Sequence, residues 1–98
     1  MSWKYEIYIG SENGSNKLGE HYLLSVIDWA SSCFPQGYTL VLGRGFYNGI
    51  VEDSAVLTVL SYNERLHSKA FESLRELKSK LRQQAILVTE SPVQLEVV

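Results

Sequence analysis

Three observations predict an α+β domain of element order βαββαβ for this chain of 98 residues. Apolar residues alternate near the N-terminal end and recur at helical spacing in two later stretches. Between those stretches, two β-rich runs are joined by a glycine-bearing connection, as in an antiparallel hairpin. The length suits a single domain, residues 1–98, able to bury one core without disulfides or a structural metal.

The elements follow in order. Trp3, Tyr5, Ile7 and Ile9 alternate with Lys4, Glu6 and Tyr8, the period of a half-buried strand with Ile7 and Ile9 towards the helices. The polar stretch Gly10 to Asn16, which includes Asn13, reads as a mobile loop. Leu23, Val26, Ile27, Ala30 and Phe34 then fall on one side of an amphipathic helix of about four turns. Pro35-Gln36-Gly37 stops that helix. Tyr38 to Leu42 and Ala55 to Leu60 read as the hairpin strands, with a bulge at Gly43-Arg44-Gly45 between them. Asn63 is placed to cap a second helix, whose apolar stripe is Ala70, Phe71, Leu74, Leu77 and Leu81. Ala85 to Thr89 is a continuous apolar run, which predicts a last strand in the middle of the sheet or covered on both faces. Ser91-Pro92 breaks it, and Val93 to Val97 alternates again as a short extra edge strand. Two βαβ-like halves around a hairpin make the ferredoxin-like arrangement, a four-stranded antiparallel sheet with two helices on one face.

Composition excludes several functions. The formal charge is −2 with a pI near 5.6, and the basic residues form no block. No nucleic-acid or membrane partner is therefore expected. Cys33 is the only cysteine, and no apolar run approaches the roughly 20 residues of a membrane span. The first residues begin a strand and do not resemble a signal peptide, so a cytoplasmic location is expected. His21 and His67 have no partners at metal-ligand spacing, and Gly43-Arg44-Gly45 lacks both the third glycine and the following helix of a phosphate loop. No metal or cofactor is implied. Trp3, Tyr5, Tyr38, Phe46 and Tyr47 are many aromatics for a wet sheet face, which predicts a homo-oligomer, a dimer or trimer, with that face covered.

Few residues are candidates for chemistry. Arg44, between two glycines, suits an anionic ligand or a cross-hairpin pair with Glu52. Glu52 near Tyr47 suits a general base or a cation holder, while Asp53 reads equally well as a solvated turn acid. Gln83 and Gln84, where the second helix hands over to the last strand, suit a ligand's polar edge or the capping of carbonyls.

Phe34-Pro35-x-Gly37-x-Thr39, Gly45-x-Tyr47-x-Gly49, Glu52 and the glutamine-led last strand from Gln83 resemble a group of small ferredoxin-like proteins of unknown function. The resemblance spans roughly residues 34 to 97, with Tyr47 where that group has tryptophan. Their architecture is similar to that of PII-like trimers, which bind ligands in clefts between subunits. The same segments look, more distantly, like phage enzymes that degrade S-adenosylmethionine. That resemblance implies site positions Tyr47, Glu52 and Gln84, with an amide at Gln84 where the enzymes carry an acid. The ligand-binding set expected is therefore Arg44, Tyr47, Glu52 and Gln84. A PII-like oligomer that binds a small ligand or a partner protein at subunit clefts is the leading reading, binding rather than catalysis. A small enzyme of the S-adenosylmethionine lyase type and a purely structural interaction module are the alternatives.

Overall fold

The computed structural model describes all residues except Asn13, and the side chain of Tyr47 also lies outside the described residues. The chain runs β1 (Ser2–Ile9), α1 (Glu20–Cys33), β2 (Thr39–Tyr47), β3 (Ile50–Ser61), α2 (Ser68–Lys80) and β4 (Leu87–Val93). Every strand pairing is antiparallel, and the order across the sheet is β2-β3-β1-β4. This is the expected ferredoxin-like βαββαβ topology.

Strand period decides which face is buried. Tyr5, Ile7 and Ile9 stand opposite Val59, Leu57 and Ala55, and all six are buried beneath the helices. From α1 come Tyr22, Val26, Ala30 and the following Phe34, one residue per turn; from α2 come Leu74, Leu77 and, just past its end, Leu81. Leu23 and Ile27 of the expected stripe are only half-buried, because the buried side of α1 is centred on Tyr22 and Val26. Tyr5 is wholly buried and still satisfied, since its hydroxyl accepts the Leu66 amide at 3.0 Å.

Several expectations are corrected. No bulge interrupts β2: Gly43 faces Ser54 and Gly45 faces Glu52 in continuous register, and the reversal comes at Asn48-Gly49. Both turn residues have positive φ, 51° and 78°, the conformation whose twist suits a two-residue hairpin loop. The cap of α2 is His67, whose Nδ1 accepts the Lys69 amide at 3.2 Å, and not Asn63. β4 is an edge strand rather than a central one. It runs through Pro92, which an edge tolerates because one side of the strand needs no donor. No strand follows Val93.

The open face also differs. Trp3, Tyr5 and Tyr38 belong to or pack against the core, and Phe46 stands 74% exposed on the hairpin beyond it. What crosses the open face is a row one side chain per strand, Val41, Val56, Tyr8 and Leu87 in successive registry. The described residues contain no helix long and apolar enough to cross a membrane.

Candidate functional site

At the end of β1 three further segments converge on a short stretch of backbone. Tyr22, in the first turn of α1, points its hydroxyl back to donate to the Gly10 carbonyl at 2.6 Å. Ser11, buried, donates its hydroxyl to the Glu52 carboxylate of β3 at 2.8 Å. Gln83, just beyond α2, donates its side-chain amide to the Ser11 carbonyl at 2.9 Å. Sequence separations of 12, 41 and 72 residues are thereby closed on two consecutive residues.

Local structure explains each placement. α2 ends in a Schellman turn: the Gln83 amide donates to the Lys78 carbonyl and the Arg82 amide to Ser79. Arg82 holds the left-handed conformation, φ 56°, where glycine is usual, and this strained reversal delivers Gln83 to the β1 end. Gly10 allows close approach. A Cβ there would lie 3.3 Å from Glu52 Oε1, tighter than most contacts, and 3.4 Å from Gln83 Oε1, so those side-chain ends would have to give slightly. The loop between β1 and α1, expected to be mobile, is fastened to β3 because the Asp53 amide donates to the Asn16 carbonyl at 2.9 Å; Asn13 within it lies outside the described residues.

The Tyr22 phenol lies in a partly dried corner and feels the charges of two carboxylates, beside a groove that also carries Lys80 and Arg82. Burial first, then the charges of Glu12 and Glu52, push the Tyr22 phenol up to about 12. Tyr22 and Glu12 also line a groove of about 310 Å³ with His21, Lys80, Leu81 and Arg82. A carboxylate anchored by a hydroxyl, with a second carboxylate near the same phenol, favours a cationic or hydrogen-bond-donating group. Among the described residues no cluster of histidine, cysteine, aspartate and glutamate is arranged to hold a metal.

Of the described residues expected to form the site, Glu52 belongs to this corner and Arg44 and Gln84 do not. Arg44 faces Asp53 across the hairpin, Nε to carboxylate 3.9 Å, in an exposed pair, so its cross-strand partner is Asp53 rather than Glu52. Gln84 lines a different groove, about 320 Å³, against Phe71, Arg75 and Ile86. The Tyr47 side chain lies outside the described residues. Ser11, Tyr22 and Gln83 were not singled out with Glu52, although Gln83 was named beside Gln84. A phenol one turn into a helix that follows a glycine-rich loop was the available signal for Tyr22.

No family model matches this chain, and no curated protein matches it. Solved structures do. A phage SAM lyase in its apo state superposes with a TM-score of 0.63 at 18% identity, over 91% of this chain and 78% of that one. A phage SAM lyase in complex with S-methyl-5′-thioadenosine gives 0.62 at 17%, over 92% and 80%. A DUF3240 family protein from Shewanella baltica OS155 gives 0.57 at 9%, over 98% and 94%. At such identities the likeness is one of fold, and one fold serves many chemistries. The chain is thus similar in architecture to a phage lyase and to a protein of unassigned function alike.

Proposed function

We propose that this protein is a self-associating, PII-like domain that binds a small cationic or amine-bearing metabolite at the corner formed by Ser11, Tyr22, Glu52 and Gln83. One observation carries the reading: the Glu52 carboxylate is anchored by the buried Ser11 while its charge and that of Glu12 both act on the Tyr22 phenol. The backbone around the carboxylate is held from three segments, so little ordering remains to be done when a ligand arrives. The apolar row Val41, Val56, Tyr8 and Leu87 supports association, because a second copy on the open sheet face covers it and turns a shallow corner into a cleft.

The second reading, an S-adenosylmethionine-cleaving enzyme, is favoured by the shared fold of the phage SAM lyases. Its substrate carries a sulfonium cation, which a carboxylate corner suits. In that reading Glu52 would serve as the base.

Thermal-shift titration with S-adenosylmethionine and with S-methyl-5′-thioadenosine tests both. Binding is expected to stabilise the wild type by roughly 2.7 kcal/mol at 100 times the dissociation constant, and the Glu52→Gln variant not at all. Release of S-methyl-5′-thioadenosine from S-adenosylmethionine, followed by chromatography, would decide for the enzyme. Binding without release decides for the metabolite binder. No shift with either compound or with simple polyamines overturns the site, and a monomer in light scattering at high concentration overturns the association.

A further inference from the structure

The opposite end of the helical layer carries a third groove, of about 670 Å³, between the end of α1, the β3–α2 connection and the first turns of α2. Its volume lies within the roughly 300–1,000 Å³ of small-molecule sites. Its charge runs against that of the chain. Acids outnumber bases overall, 11 to 9, yet this lining carries Arg65 and Lys69 against Glu64 alone.

Each donor is set differently. The Arg65 guanidinium lies 4.3 Å over the Trp3 ring and reaches Glu90 through Nε at 3.6 Å, so its plane is held while the side chain remains largely exposed. Glu90 offsets part of that charge, but an exposed pair of this kind is weak, so an arriving anion competes with Glu90 for the guanidinium. His67 accepts the Lys69 amide on Nδ1, so the proton of its neutral ring sits on Nε2 as a donor. Lys69 makes no ion pair among the described residues. Beside these donors, Phe34, Leu66 and Ala70 supply an apolar wall, and Phe34 is braced edge-on by Trp29 at 5.6 Å.

We propose that this groove binds a small organic anion: a phosphate monoester whose head meets Arg65, His67 and Lys69 and whose ring or hydrocarbon body lies on Phe34 and Leu66. A planar guanidinium recognises phosphate by paired hydrogen bonds, an ammonium adds a point charge, and the wall rewards an apolar body that inorganic phosphate lacks. The site is separate from the Glu52 corner and opposite to it in charge preference.

Phenyl phosphate is the probe, titrated into the isotope-labelled protein and followed by amide NMR shifts. Saturable shifts are expected over residues 64–73, with affinity at least fivefold above that for inorganic phosphate and falling as salt is raised. Lys69→Gln, at an exposed position, is expected to weaken binding at least fivefold, and Arg65→Lys, which keeps the charge but loses the fork, also to weaken it. Glu52→Gln is expected to leave it unchanged, which separates this site from the first. Three results overturn the proposal: no saturable shift, equal binding of neutral benzyl alcohol, or undiminished binding in Lys69→Gln.

Discussion

Ser11 and Glu52 meet at 2.8 Å across 41 residues of chain, hydroxyl to carboxylate, where β1 ends and β3 has just begun. Ser11 is buried and Glu52 half-buried, so the bond is partly shielded from competing water. Ser11→Ala removes a hydrogen bond to a charged group and is expected to cost about 1.5–3 kcal/mol by urea denaturation. In a double-mutant cycle with Glu52→Gln, a coupling energy of at least about 0.5 kcal/mol is expected, and additive losses would show that the two side chains do not act together.

Tyr22 predicts a response to alkali. Its phenol titrates near 12 in the folded protein because of burial and the charges of Glu12 and Glu52. In the unfolded chain it titrates near 10. The native state therefore keeps a proton that the unfolded state has released. The associated stability is complete below about pH 10 and lost as pH rises towards about 12. Denaturation midpoints measured across that interval should fall in the wild type and fall less in Tyr22→Phe.

The Asn48-Gly49 turn predicts a local backbone effect. Gly49 has φ 78° and nothing within 4 Å of its missing Cβ, so a side chain there meets strain but no clash. Gly49→Ala should destabilise by about 1 kcal/mol through the left-handed conformation alone. Asn48→Gly should be close to neutral. Equal losses at both positions would contradict the turn.

His67 and Asn63 make opposed predictions for α2. Replacing His67 with alanine leaves the Lys69 amide without its acceptor and should cost about 0.5–2 kcal/mol. Asn63 holds φ 58°, so Asn63→Gly, which keeps that conformation, should leave helix stability unchanged. Thermal melts of the two variants, compared with His67→Asn as a replacement cap, check the assignment.

The open face predicts the behaviour of one surface variant. Leu87→Lys puts a charge at the end of the Val41–Val56–Tyr8 row without touching the core. If copies associate through that face, the variant is monomeric in light scattering with an unchanged circular dichroism spectrum. An unaltered mass would place association elsewhere.

Much of this fold is legible because period is a local property. Ile7 and Ile9, and Leu74, Leu77 and Leu81, announce their buried faces within a few residues. Position in the sheet is not local. The apolar run from Ala85 suggests a covered strand, but pairing begins only at Leu87, at an edge, because partner choice depends on β1 many residues away. Glycine is ambiguous in the same way: Gly43 and Gly45 resemble a bulge, yet β3 pairs straight past them. Glu52 is recognisable as an acid at the start of a strand. Its companions are not, since Ser11, Tyr22 and Gln83 come together only through a loop, a helix start and a Schellman turn.

The seating of β4 against β1 has a consequence for synthesis. Ser2 faces Val93 and Tyr8 faces Leu87, so the first strand waits for the last before both its sides are paired. On the ribosome, β1 can join the β2–β3 hairpin early, but it keeps an open edge until the C-terminal strand has emerged. A chain stalled before residue 87 presents that edge to its neighbours, and nascent-chain aggregation should peak at such lengths.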